Sequence, residues 1–235
     1  MIYVYALTDP VAPPAGALGF AGAPLQIAIS EGAGAVHTTI DKPPPVTPDN
    51  LWQHESVVEA LMGRAATLPA RFGTVLSSAE EAQSMLAEHA EALRPALDRV
   101  RGLVEVGVRL RVIEAPAQPS PPAQSADPSR PGRAYLMQRL EREQRQEQQE
   151  ASALATAREV LAPLTALAQG ACPPAAGRAS AVVSSAYLIR PYDVPAFAAR
   201  VADIDAGRDE LELVATGPWP AYSFAPALQE GARCG

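Results

Sequence analysis

Large aromatic side chains are few: two Trp, six Tyr and four Phe in 235 residues. The apolar fraction, near half, is inflated by alanine, so the core has few large anchors and each aromatic carries weight. Cysteine is scarcer still. Cys172 and Cys234 stand far apart without a CxxC spacing, which argues against a disulfide framework and a thiolate zinc site and fits a reducing cytoplasm. Positive charge is also short, with 19 Lys and Arg against 26 Asp and Glu and a net charge of −7. Without an excess positive field to neutralise phosphates, nucleic acid is not the expected partner. No apolar run approaches the length of a membrane span. The start, Met1-Ile2-Tyr3-Val4-Tyr5 and then Asp9-Pro10, has no basic region and no long apolar one, so it does not read as a signal peptide.

Proline is abundant: the chain has 24, about twice the average share. The prolines cluster and punctuate the periodic segments. Residues 2 to 7 alternate with apolar groups on both sides and read as a strand buried on both faces. Leu25 to Ser30 and Ala35 to Ile40, around Gly32 and Gly34, read as a hairpin. Thr47-Pro48 is a helix start, with a hydroxyl N-cap and proline at the first helical position. Leu51, His54, Val58, Leu61, Met62 and Ala65 share one face of that helix. Leu68 to Leu76 reads as extended. Ser78 and Glu81 form a capping box for a helix with inner face Ala82, Met85, Leu86, His89, Leu93 and Leu97, kinked or shortened by Pro95.

Val104 to Val112 alternates with Glu105, Gly107, Arg109 and Arg111, the clearest half-buried strand of the chain. A proline-rich insertion follows at 115–133, then a long helix from Tyr135 to about Ala162 whose stretch 141–150 holds only charged residues and glutamines. Cys172-Pro173-Pro174 to Gly177 reads as a loop, Ala181 to Ile189 as a strand, Pro195 onward as a short helix, and Glu210 to Thr216 as the last strand. The expected fold is α+β in two domains, 1–100 and 101–235. The second resembles a ferredoxin-like βαββαβ unit, an antiparallel sheet with two helices on one face, with one strand missing or cryptic.

Catalytic constellations are absent: no GxSxG, P-loop, GxGxxG or HExxH occurs. His54 and His89 lie on apolar helix faces and His37 in a strand, the setting of core histidines. Asp203, Asp205, Asp209 and Glu210 read as surface polar residues rather than a metal site, and no cofactor or metal is expected. Two segments are less ordinary. In Leu68-Pro69-Ala70-Arg71-Phe72-Gly73-Thr74-Val75, Arg71 stands among apolar residues and must find a carboxylate, carbonyls or a ring face, either bridging its own domain or shaping a partner surface. In the tail (217–235), Gly217-Pro218-Trp219-Pro220-Ala221-Tyr222-Ser223-Phe224 is a stiff aromatic exit from the last strand. Burying Trp219 is worth roughly 4–6 kcal/mol at most. The expectation is that Trp219 mainly anchors the chain end onto its own fold.

These two segments, with Tyr3-Val4-Tyr5, His54, Gly102-Leu103-Val104-Glu105-Val106, Ala134-Tyr135-Leu136 and Ala186-Tyr187-Leu188, resemble the GvpF/GvpL family of gas vesicle proteins across nearly the whole chain. Ala70 and Ala221 are mild departures from its pattern. The resemblance implies a two-domain α+β fold with a modified ferredoxin-like C-terminal half and a non-enzymatic accessory or minor structural role in building gas vesicles. It implies binding of the major shell protein to prevent its aggregation, alongside other accessory proteins, and a place in the cytoplasm and on the gas-facing inner side of the shell. Arg71, Phe72, Trp219, Tyr222 and Phe224 are the candidate partner-binding or signature residues. The competing reading is a small-molecule-binding or enzymatic ferredoxin-like protein, which needs a pocket of convergent polar groups. A coiled-coil scaffold at 141–150 lacks the apolar stripe it would require.

Overall fold

The first strand, β1 (Ile2–Thr8), is buried at every position, as its two-sided apolar pattern predicts. The structure, a computed structural model, describes residues 1–113, 131–177 and 182–226. Most of the expected insertion at 115–133, the end of the tail and Cys234 therefore lie outside the described residues. β1 is the centre of the first sheet. It pairs antiparallel with β3 (Ala33–Thr39) on one side and with the short strands β4 (Thr67–Pro69) and β5 (Val75–Leu76) on the other. β2 (Gln26–Ser30) completes the hairpin with β3. The hairpin turn is made by Glu31 and Gly32, both at positive φ (49° and 75°), a pairing suited to the twist of flanking strands. Gly34 is not in the turn but within β3, where a Cβ would lie 2.4 Å from Ile27 Cδ1.

Helix α1 (Pro48–Met62) starts as its sequence predicts: Thr47 Oγ1 accepts from the Asn50 N–H at 3.3 Å, with Pro48 in the first turn. Its buried residues are His54, Val57, Val58 and Leu61, while Leu51 is exposed. α2 (Ala79–Glu88) is capped by Ser78, whose Oγ accepts from the Glu81 N–H at 3.3 Å. Glu81 reaches back past the cap to the Ser77 N–H at 2.6 Å, so the cap at Ser78 is made while the return bond of the expected box goes one residue further out. The helix then ends at His89, not at Pro95. The His89 ring takes Met85 O at 2.9 Å through Nδ1, alongside the backbone bond from His89 N–H to the same carbonyl. A side-chain donor at a helix end satisfies carbonyls that would otherwise want a further turn. Pro95 sits inside the next helix, α3 (Ala90–Val100), which buries Leu93, Leu97 and Val100. At the end of α3, Arg101 clamps Asp9 with two bonds, and the Asp9 carboxylate also takes the Ala66 N–H at 3.1 Å. That guanidinium holds the Asp9 carboxyl below its usual range.

The second sheet has the strand order β7-β8-β6-β9. Its members are β6 (Val104–Val112), β7 (Gly170–Ala176), β8 (Val182–Ile189) and β9 (Leu211–Trp219). Between β6 and β7 runs α4 (Pro131–Thr165), and between β8 and β9 runs α5 (Val194–Ala206). In chain order this is β-α-β-β-α-β, one strand more than the sequence reading supplied. The extra strand is the Cys172-Pro173-Pro174 stretch, read above as a loop. β7 is at the sheet edge, where a residue without an N–H leaves no ladder bond unmade on its open side. The Ser185 hydroxyl donates to the Cys172 carbonyl at 2.7 Å and helps tie β7 to β8.

α4 continues past Pro163 to Thr165. Its second half buries Ala153, Ala157, Val160, Leu161 and Leu164, an apolar face at helical spacing. Residues 141–149 are exposed throughout, the solvated stretch that its charge and glutamine content predicts. β9 also runs further than expected, through Pro218 to Trp219. It is the other edge of the sheet, so a proline is again tolerated there.

The chain divides into two compact units. The first holds Met1–Val106, Leu188–Val194 and the described residues from Gly217 onward. The second holds described residues within Gly107–Tyr187 and Pro195–Thr216. The sequence reading draws one boundary at 100/101 and leaves the tail with the second half. The unit division returns the tail to the first. The Ser78 cap yields a direct check: Ser78→Ala should lower stability by about 1 kcal/mol, read as a shifted urea midpoint with an unchanged slope. An unchanged midpoint would mean that α2 does not depend on its cap.

Candidate functional site

The two unusual segments of the sequence meet in the first unit. β4 carries Leu68-Pro69 into the turn at Arg71–Gly73, and the tail turn Tyr222–Phe224 lies beside β4. Each segment is held by a different kind of polar anchor.

The first anchor is a chain of hydrogen bonds through the core. Tyr3 is fully buried and His54 is 2% exposed. The Gly73 N–H donates to the Tyr3 hydroxyl oxygen at 3.1 Å. The Tyr3 hydroxyl meets His54 Nδ1 at 2.9 Å, and His54 Nε2 meets the Ala70 carbonyl at 3.1 Å. One assignment satisfies all three: Tyr3 O–H donates to Nδ1, and Nε2–H donates to Ala70 O. The imidazole is therefore neutral, and burial pushes it down to about 4. The same burial pushes the Tyr3 hydroxyl up to about 12. Around this chain the rings of Tyr3, Tyr5, Phe20, His54 and Phe72 pack with centroids 4.7–6.2 Å apart. Five of the chain's few rings are thus spent on locking residues 70–73 from both ends. His54 is a core histidine, as its apolar face predicts. His37 is another: it is 3% exposed and burial lowers its pKa, with no partner for Nδ1 among the described residues.

The second anchor is a pair of carboxylates. Glu105 on β6 is 8% exposed. Its Oε2 accepts from the Ser223 N–H at 2.8 Å and its Oε1 from the Ser223 hydroxyl at 2.7 Å. Glu55 on α1 accepts from the Tyr222 hydroxyl at 2.7 Å. Burial pushes both carboxyls above their usual range, and it pushes the Tyr222 hydroxyl up, reinforced by Glu55. Phe224 is buried, and the Arg99 guanidinium stands over its ring at 5.0 Å. Pro220 and Ala221 are buried as well.

The candidate residues therefore divide. Phe72 is half-buried against the aromatic core. Tyr222 and Phe224 dock the tail. Arg71 is exposed, and its side chain makes no hydrogen bond or ion pair among the described residues. The bridging role weighed for it is not what it performs. Trp219 is 47% exposed, against the expectation that it anchors the chain end. The anchoring is done by its neighbours, because the paired carboxylates and the Phe224 site capture residues 220–224 and leave the indole on the rim. Sequence reasoning missed Glu55, Glu105, Arg99 and Trp52. Glu105 occupies a solvent-side position of an alternating strand, and only its partner more than a hundred residues away makes it a core residue. Trp52 is 70% exposed on α1. Among the described residues no group of His, Cys, Asp and Glu is arranged to hold a metal.

The family model described as gas vesicle synthesis protein GvpL/GvpF matches residues 1–226. Gas vesicle protein F2 of Halobacterium salinarum is 26% identical over 226 residues, covering 92% of this chain and 89% of that protein. The crystal structure of gas vesicle protein GvpF from Microcystis aeruginosa aligns over 96% of this chain and 98% of its own, with a TM-score of 0.67 at 19% identity. GvpF from an Anabaena species aligns over 96% of this chain and 95% of its own, with a TM-score of 0.66 at 20% identity. At such identity the two structures speak for the fold.

Two measurements test the anchors. Glu105→Ala removes the acceptors of two tail donors and should cost about 1.5–3 kcal/mol. Amide exchange at 217–224 should rise in that variant while the β1 amides stay protected; unchanged exchange would mean the carboxylate does not hold the tail. His54 has a depressed pKa, so its contribution is present above the unfolded value near 6.5 and is lost as pH falls toward about 4. That loss is at most about 3 kcal/mol. His54→Gln, which keeps one donor and one acceptor, should flatten the decline in stability between those pH values; equal slopes would contradict the neutral assignment.

Proposed function

Because this chain belongs to the GvpL/GvpF family of gas vesicle synthesis proteins, we propose that it acts in gas vesicle assembly as an accessory or minor structural component that binds the major shell protein. Its task is to cover the apolar surface of that protein before polymerisation, prevent aggregation and help the vesicle to nucleate, together with other accessory proteins. This is a building role and not a catalytic one. It belongs to the cytoplasm and to the gas-facing inner side of the shell. No helix among the described residues is long and apolar enough to cross a membrane. The second half, with its β-α-β-β-α-β order and strand order β7-β8-β6-β9, fits the modified ferredoxin-like domain expected from the resemblance.

The observation that carries the proposal is the exposure of Trp219 on a segment whose other members are tied down. An indole that is 47% exposed leaves part of its transfer free energy unrealised within the monomer. A stiff, anchored mount lowers the ordering cost of using it at an interface. Arg71 and Phe72, on a turn fixed by Tyr3 and His54, supply a second rigid patch in the same unit. The net charge of −7 helps a protein with exposed apolar groups stay apart from its own copies.

The test is retention of the purified shell protein on the immobilised full chain. The wild type should retain it. Trp219→Ala, with its indole already on the rim, should keep the wild-type urea midpoint and lose most of the retention. Normal retention by a folded Trp219→Ala protein would remove the indole from the binding surface.

A further inference from the structure

We propose that Trp52 and Trp219 are two ends of one docking strip, and that the strip takes the apolar face of an amphipathic helix with a basic rim. Both tryptophans of the chain are exposed, Trp52 at 70% and Trp219 at 47%. Tryptophan is highly buried on average and is enriched at binding hot spots, so leaving both in water leaves the largest apolar side chains of the molecule without cover. Only Trp219 belongs to the motif that the sequence singles out. Trp52 enters through the structure.

The Tyr222–Glu55 bond joins them. Trp52 and Glu55 are three apart on α1, so their side chains are neighbours on one helix face, with Cβ atoms roughly 5–6 Å apart. Glu55 receives the Tyr222 hydroxyl at 2.7 Å, and Trp219 lies three residues before Tyr222. A single hydrogen bond thus fixes the tail to the helical turn that bears the other indole. Val46, just before α1, and Leu51, in its first turns, are 78% and 43% exposed and add apolar surface to that end of the helix. Arg71 is outside it: the turn it belongs to is bound by His54, about 200° around the helix axis from Trp52.

Charge selects the occupant. α1 carries Asp49, Glu55 and Glu59 and no Lys or Arg, and Asp49 and Glu59 are exposed. A second copy would bring the same acidic rim and a net charge of −7 against it. A helix with an aliphatic face flanked by Lys and Arg meets both the apolar strip and the acidic edge, by the helix-in-groove mode of recognition. The inference rests on the assembly role only for which protein carries that helix.

The probe is a labelled helical peptide with a leucine face and a lysine rim, titrated into the full chain and followed by fluorescence anisotropy. The same peptide with a glutamate rim is the control. The lysine peptide should bind, with affinity falling as salt rises. Trp52→Ala and Trp219→Ala should each weaken it about thirtyfold, the size of a hot-spot truncation. Tyr222→Phe, which unties the tail from Glu55 and leaves both indoles in place, should weaken it as well. Equal binding of the glutamate peptide, indifference to Trp52→Ala, or no binding of either peptide would overturn the proposal. So would Trp52-dependent dimerisation in sedimentation, which would give the strip to a second copy. The assembly role fails separately: shell protein retained by both the wild type and Trp52→Ala, with no peptide binding, would sink the strip alone. Peptide binding through both indoles, with no shell protein retained, would sink the shell-protein reading alone.

Discussion

Glu105 is a carboxyl group almost without access to water, and such a buried polar group is tolerated only when hydrogen-bond partners surround it. The donors it uses are the Ser223 amide and hydroxyl. Much of what is distinctive in the first unit follows from that requirement. Residues 220–224 must return to β6, and Tyr222 is thereby placed where its hydroxyl meets Glu55. Phe224 is carried beneath Arg99. Losing a carboxyl acceptor of this kind costs about 1.5–3 kcal/mol, enough to hold residues 220–226, which among the described residues carry one short turn beyond the end of β9. Trp219 is left on the rim because the contacts on its C-terminal side, not its own burial, set the position of the segment.

The aromatic core imposes a second constraint of the same kind. A neutral imidazole between a phenol and a carbonyl orders the turn 70–73 from below, so the exposed Arg71 and half-buried Phe72 stand on a rigid base. The two segments that carry the family resemblance, some 150 positions apart in the chain, lie side by side in the first unit. Their rigidity comes from buried polar groups that are fully paired, an arrangement that specifies one geometry where an alanine-rich core alone would specify it weakly.

Much of this was legible in the sequence, and the failures share a cause. The two-sided burial of β1, the alternation of β6 from Val106 to Arg111 and the caps at Thr47 and Ser78 depend on local pattern and came through. The α+β class followed from them. β7 is hidden because prolines argue against a strand unless its place at an edge is known. Pro95, the familiar helix breaker, masks the break at His89 in the sequence, whereas here the ring of His89 finishes the helix by taking Met85 O. Glu105 and Trp219 run against their local patterns in opposite directions. A carboxylate at an outward position of a strand is ordinarily solvated, and a tryptophan between two prolines ordinarily packs. Both assignments reverse once Ser223 meets Glu105, a contact between residues 118 apart in the chain that leaves no trace in either local pattern.

The tail is docked by its carboxylate partners and leaves Trp219 half in water, and the proposed role has the shell protein cover it. Acrylamide quenching of a Trp52→Phe protein, in which Trp219 is the sole tryptophan, tests it most directly. The account predicts strong quenching in the free chain and marked protection when the shell protein is bound. Emission already shielded in the free chain, or quenching unchanged by the bound shell protein, would contradict it.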